Sequence, residues 1–452
     1  MSNFSHPVTM NGTLQMSESS GLMKPYTPDW KSLDSHPLPA WFDQVKYGMF
    51  IHWGPYSSED CGNLEHMNPD CLTAENFHPE EWAQLAVDAG MKYVIFTCKH
   101  GGGFAMYKTR FGKWNSVDSG PKRDFFGELM QAYRKAGLRV IAYYCKNDIF
   151  MPAEEWPEGK SQITDPVRFS QIVNDYDMQW ACDHWPEFMR EQIKEICEQY
   201  QPDGFWFDGV VPKYQYSGMQ EVYAWIYNHY PEMVLNDRVG CFSQRKCHGD
   251  YYTYERPWIK PVHILPHKWQ AERCLAGRWA YEPTLTEEQI EPAEQVLWEL
   301  LDILALGGNY CLNIAPRADG SIPEYYSKRL LEVGDWLSKH AQAIYATLPW
   351  IWGYFAEGEN IRYVMSQDEQ TIYAFVRNWT DALLDLNYMH SSVCVAREVE
   401  LLGGRTLEWT WGPKGSLQVR LPESQSDSKI KISALRIPIE RESESVGEKR
   451  DG

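Results

Sequence analysis

Four short apolar runs, each delivering polar residues at its carboxyl end, recur over the first half of the chain: 47–51 leads to His52-Trp53-Gly54, 92–98 to Lys99-His100, 138–143 to Tyr144, and 203–208 closes on Asp208-Gly209. A run that is apolar along its whole length is buried on both faces, the condition of a parallel strand covered by helices. Amphipathic stretches separate the runs. Segment 79–90 carries Trp82, Leu85, Ala86 and Ala89 at helical spacing and stops on Gly90, 124–137 repeats the plan, and 185–200 is closed by Gln201-Pro202. The alternation predicts βα units around a parallel sheet. Further strands are expected at 233–236, 251–254, 278–281 and 310–314, bringing the count to eight, the number that closes a (β/α)8-type barrel. In such a barrel the carboxyl ends of all strands meet at one mouth, so the polar strand ends predict a shared active-site face.

Helices expected at 287–306 and 323–340 flank the last strand, and beyond residue 350 the texture changes. Short alternating segments at 361–365, 371–376, 393–401 and 417–421, parted by polar turns, predict a small C-terminal antiparallel β-sandwich. The expected division is an N-terminal leader over 1–40, the barrel over 41–347, the β-sandwich over 348–440 and a charged tail over 441–452.

Composition narrows the function classes. A net charge of −19 repels phosphate backbones and anionic lipid, so neither nucleic acid nor a membrane surface is expected as a partner. Filling a large core accounts for most of the 20 Trp, 27 Tyr and 17 Phe, and the remainder suit a cleft that stacks on sugar rings. Strand 1 offers the single histidine His52, where a metallohydrolase barrel wants clustered histidines, so no metal and no cofactor are expected. Segment 1–25 is polar and lacks the apolar stretch of a secretory signal. The 11 cysteines are an odd number without a Cys-x-x-Cys pair, which predicts reduced thiols and a cytoplasmic setting. The oligomeric state is not legible.

Asp208, at the tip of Phe205-Trp206-Phe207-Asp208, reads as a nucleophile on the barrel face, with Glu255 after strand 6 as a second carboxyl across the mouth. His52 and His100, at adjacent strand ends, read as ligands of one shared group. Arg238 suits either a sugar oxygen or the charge of Asp208.

The ordered set Lys46-Tyr47-Gly48-Met49-Phe50-Ile51-His52-Trp53-Gly54-Pro55-Tyr56-Ser57, Phe205-Trp206-Phe207-Asp208-Gly209, Asn236-Asp237-Arg238 and Gly307-Gly308-Asn309-Tyr310-Cys311-Leu312-Asn313-Ile314-Ala315-Pro316 resembles the alpha-L-fucosidases of glycoside hydrolase family 29. The resemblance runs from about Trp41 to Thr347. It implies a retaining exo-glycosidase that cleaves a terminal L-fucose, or a related or substituted sugar, from a small oligosaccharide or glycoconjugate through a covalent glycosyl-enzyme. Asp208 matches the family nucleophile, and His52, His100, Trp206 and Arg238 match its sugar contacts. Glu65 lies where the family has a Glu-Trp contact with sugar. Glu255 matches the acid/base of one subgroup; another subgroup places it directly after the tryptophan matching Trp269, where this chain has Gln270. Glu65 and Glu272 stand in reserve for that role, and Trp53, Tyr144, Trp269 and Trp279 complete the candidate sugar contacts. The family's Lys-His-His-Asp-Gly-Phe appears here as Lys99-His100-Gly101-Gly102-Gly103-Phe104, two polar side chains short. A catalytically weakened carbohydrate-binding pseudo-enzyme and a glycosidase of other specificity, such as a galactosidase, are the alternatives.

Overall fold

The computed structural model describes residues 24–57, 68–146, 184–209, 218–239, 248–255, 260–351, 354–379, 383–392, 394–422 and 429–440. Eight parallel strands form the first sheet: β1 (Tyr47–Ile51), β2 (Tyr93–Lys99), β3 (Arg139–Cys145), β4 (Gly204–Asp208), β5 (Val234–Leu235), β6 (Tyr252–Tyr254), β7 (Trp269–Cys274) and β8 (Gly308–Ile314). Ladders run in the order β5-β4-β3-β2-β1-β8-β7-β6. The ring closes between β5 and β6 through one parallel bridge, Asn236 to Tyr251. Asp250 reinforces that seam: its N–H donates to the Leu235 carbonyl at 2.8 Å and its carboxylate accepts from the Leu235 N–H at 2.7 Å.

The seventh strand corrects the expectation at 278–281. That segment is irregular, and its carbonyls at Arg278 and Trp279 accept from the Asn313 side-chain amide instead of from a ladder. The true strand, Trp269–Cys274, carries Gln270, Glu272 and Arg273, all buried. Its polarity hid it from an apolar-run reading.

Helices lie outside the ring. Pro79–Asp88 starts on Pro79 with Glu80 and Glu81 in its first turn, where a fixed φ and negative charge favour a helix N-terminus. Phe125–Lys135 is capped by Asp124, whose carboxylate accepts from the Gly127 N–H at 2.9 Å. Trp185–Tyr200, Ala293–Ala305 and Glu324–His340 fall within expected helical stretches, and Met219–His229 is an additional helix. Part of the segment read as a leader is packed: His36 bonds Asp250 at 2.8 Å and stacks on Tyr227, and Trp30 stacks on His248 at 4.0 Å.

Alternation of side chains divides the barrel strands. Phe50, Tyr93, Ile95, Ile141, Tyr143, Trp206 and Cys311 share an inner cluster, while Met49, Ile51, Val94, Tyr144, Phe205 and Leu312 join the larger cluster facing the helices. Beyond the barrel, a seven-stranded and a three-stranded sheet, paired antiparallel, enclose a second core that includes Met365, Ile372, Leu386 and Val419, as a β-sandwich requires. The stretch expected at 393–401 is two short strands, Val395–Ala396 and Glu400–Leu401, and the long strands Leu383–His390 and Ile432–Glu440 are additional. Among the described residues no helix is long and apolar enough to cross a membrane.

Candidate active site

Asp208 ends β4, and the next residue, Gly209, turns the chain away at φ 85°, a conformation that favours glycine. The carboxylate is held from two sides. Arg238 donates from one terminal nitrogen to Oδ1 at 2.7 Å, and the Tyr143 hydroxyl donates to Oδ2 at 2.6 Å. Burial acts to raise the Asp208 pKa, but the Arg238 charge, the Tyr143 hydroxyl and the Gly209 N–H outweigh it and hold the group well below the usual carboxylate range. The side chain keeps 22% of its surface open.

Arg238 is almost fully buried and joins the two candidate carboxylates: its other terminal nitrogen meets Glu255 Oε2 at 2.8 Å. Its Nε donates to Thr253 Oγ1 at 3.1 Å, and its plane lies over the Trp206 ring at 4.3 Å. One guanidinium therefore fixes Asp208 on β4 and Glu255 beyond β6 within a single cluster, although the backbone ladder between β5 and β6 is one bridge. Below it, Asn236 clasps the end of β4, accepting from the Phe207 N–H and donating to the Phe207 carbonyl. Buried Lys146, which sequence reasoning missed, ties β3 to the same seam by donating to the Arg238 carbonyl.

His52 and His100 face Tyr143 and each other, with ring centroids 5.7 Å apart. Their tautomers follow from their partners. The Asn313 amide donates to the Trp279 carbonyl at 2.9 Å, so its oxygen accepts from His52 Nδ1 at 2.7 Å, leaving His52 Nε2 an acceptor. The Gly101 N–H donates to His100 Nδ1 at 2.7 Å, so the proton sits on His100 Nε2, a donor. Burial pushes both imidazoles down, His52 to about 3 and His100 to about 4, which keeps them neutral. Gly102 accepts at its carbonyl from Trp114 Nε1 at 3.0 Å. Trp279 packs beside His52 at 4.9 Å and joins the group, as does Trp206, stacked on Tyr143 at 5.4 Å.

Three expected sugar contacts point the other way. Trp53 is fully buried against Phe77, Trp82 and Phe125 and donates to the Arg317 carbonyl. The Tyr144 hydroxyl reaches Gln192 on the helix Trp185–Tyr200, and Trp269 donates to the Leu306 carbonyl outside the ring. Each is one residue out of phase with an inward neighbour: His52, Tyr143 and Gln270 take the inner positions. Glu65 lies outside the described residues. Gln270 sits fully buried, accepting from the Tyr93 hydroxyl at 2.6 Å and donating to Glu272 Oε1 at 2.8 Å. No group of three or more potential metal ligands occurs among the described residues.

Two carboxylates joined by an arginine, two neutral histidines of opposite hydrogen-bonding sense and an aromatic wall suit the splitting of a glycosidic bond. Known proteins agree. The profile of the alpha-L-fucosidase family matches residues 13–70 and 63–342, and that of the alpha-L-fucosidase C-terminal domain matches 357–437. Tissue alpha-L-fucosidase of Rattus norvegicus is 33% identical over 91% of this chain and 92% of its own length. Plasma alpha-L-fucosidase of the same species is 33% identical over 88% and 90%. The crystal structure of Thermotoga maritima alpha-fucosidase with a mechanism-based inhibitor superposes with a TM-score of 0.73 at 29% identity, covering 91% of this chain and all of that one. These relatives overturn the cytoplasmic expectation, since one is named for plasma, an extracellular fluid. The thiols misled because Cys98, Cys145, Cys197, Cys311 and Cys394 are buried packing groups, which carry no record of compartment.

Proposed function

The chain belongs to the alpha-L-fucosidase family, glycoside hydrolase family 29, and from that premise we propose that Asp208 is the nucleophile and Glu255 the acid/base of this retaining exo-glycosidase acting on fucose. The single observation that carries the assignment is Arg238, which binds one oxygen of each carboxylate at 2.7 and 2.8 Å. Retaining hydrolysis needs its two carboxyl groups about 5–5.5 Å apart, and attachment to one guanidinium supports a separation of that order.

In the first step an Asp208 oxygen attacks the anomeric carbon of a terminal L-fucose. The bond to the leaving oxygen breaks, and that oxygen takes the proton of Glu255. The product is a glycosyl ester in which Asp208 no longer carries charge. Glu255, having given up its proton, is the base of the second step. Water gives its proton to Glu255 and attacks the same carbon, and Asp208 departs as carboxylate. His52 Nε2 as acceptor and His100 Nε2–H as donor would read two sugar hydroxyls, with Trp279 and Trp206 against the apolar side of the ring. We assign the chemistry to 41–347 and a supporting role to the β-sandwich over 348–440.

The test is Asp208→Gly. Turnover of an aryl α-L-fucoside should fall by several orders of magnitude and partly return with azide, which fills the vacated space and attacks in its place. Near wild-type activity in that variant ends the assignment.

A further inference from the structure

Glu272, on β7, is fully buried, and the reaction above gives it no step. Three donors converge on it. Trp206 Nε1 and Gln270 Nε2 donate to Oε1 at 3.0 and 2.8 Å, and the Tyr254 N–H donates to Oε2 at 3.0 Å. Two of these adjoin the reacting groups: the Trp206 ring underlies Arg238 and stacks on Tyr143, both of which hold Asp208, and Tyr254 immediately precedes Glu255. The third, Gln270, is braced in turn by the Tyr93 hydroxyl across the barrel.

We propose that Glu272 is a positioning residue of the glycosidase, fixing the indole behind the nucleophile and the backbone that carries the acid/base in one relation. The proposal rests on the assignment of Asp208 and Glu255. β6 has three residues and its ladder to β5 is a single bridge, so on that side the position of Glu255 depends on side-chain bonds such as those of Asp250 to Leu235 and of Thr253 to Asp237. A carboxylate with two acceptor oxygens can bind Trp206 and Tyr254 at once, and a neutral amide there would present a donor to a donor. Both Glu272 oxygens are engaged by protein donors, which leaves the acid/base role with Glu255 in the reading above. Burial pushes the Glu272 pKa up to about 7, opposed by Gln270, Arg238 and Trp206 and reinforced by the charge of Glu255; Tyr93, Tyr251 and Cys311 are the other titratable groups facing it.

The experiment compares wild type, Glu272→Gln, Trp206→Phe and the double variant, with active sites counted by a covalent fucosyl inhibitor so that only folded enzyme enters the rates. kcat/KM is measured on an aryl α-L-fucoside with a good leaving group and on one with a poor leaving group. Glu272→Gln should lose roughly tenfold or more on the poor substrate and several-fold less on the good one, because the misplaced acid matters only where protonation is needed. The double variant should be no more than about threefold worse than the worse single variant, because both changes cut one connection. Equal losses on both substrates combined with multiplying losses in the double variant overturn the proposal, leaving Glu272 a packing residue. If Glu272→Gln yields no folded protein, Glu272→Asp, which keeps the charge and shortens the reach, should show the same signature in weaker form, and its absence there overturns the proposal equally. Glu255→Ala run alongside separates the two readings: if it shows no leaving-group dependence, the acid/base assignment falls, and the Trp206 cycle alone decides Glu272.

Discussion

Asp208 is held ionised, and its two donors contribute unequally. Arg238 is shared with Glu255, whereas the Tyr143 hydroxyl, at 2.6 Å, serves Asp208 alone. A hydrogen bond to a charged group is worth about 1.5–3 kcal/mol, and each pKa unit is about 1.4 kcal/mol. Tyr143→Phe should therefore raise the pKa of Asp208 and move the acidic limb of the kcat/KM profile up by about one to two pH units. A profile superimposable on wild type would show that Arg238 alone keeps Asp208 ionised. Tyr143 was missed in the sequence and Tyr144 chosen in its place because both are buried aromatics on one strand, so composition cannot say which of the two faces inward, and a slip of one residue exchanges the faces. Asp208, His52 and Arg238 escaped this ambiguity because a charged or polar group at a strand tip has little reason to lie under a helix.

At the level of elements, β4 and β5 are set together by a glycine. A Cβ on Gly204 would lie 2.3 Å from the Val234 carbonyl oxygen, backbone that cannot step aside. Gly204→Ala should force β5 outward, costing about 1–3 kcal/mol in a denaturant melt, and should lower kcat as well, because Arg238 follows β5 by three residues. Unchanged stability would mean that β5 is free to shift. The strands and helices legible in the sequence were those with one kind of residue along a whole face, such as Tyr47–Ile51 and Trp185–Tyr200. β7 was not, because Gln270, Glu272 and Arg273 are buried by pairing with Tyr93, Trp206 and Glu299. Those partners come from distant parts of the chain, and no local pattern announces them.

The whole molecule is joined more tightly than its division into barrel and sandwich suggests. Val364, Tyr373, Phe375, Ile432 and Ala434 of the C-terminal sheet belong to the same buried cluster as the barrel helices, and Trp336 donates its indole N–H to the Ile432 carbonyl at 3.0 Å. The two parts should melt in one calorimetric transition, and Trp336→Ala, removing that anchor and its stacking on His340, should lower stability by about 3–5 kcal/mol. A second, separate transition in the wild type would contradict a shared core. Around the ring itself, hydrogen bonding is uneven. The ladder between β3 and β4 carries five register pairs up to Asp208, while the β5–β6 seam beside Arg238 and Glu255 has one bridge. Insertions within β4 would displace the Asp208 carboxylate with its ladder, whereas β5 and β6 are joined across the seam mainly by the side chains of Asp250 and Asp237. On the assignment proposed above, attack on the sugar is anchored by a full backbone ladder while protonation of the leaving group hangs on side-chain bonds, so lengthening the chain beside the seam should disturb the second before the first.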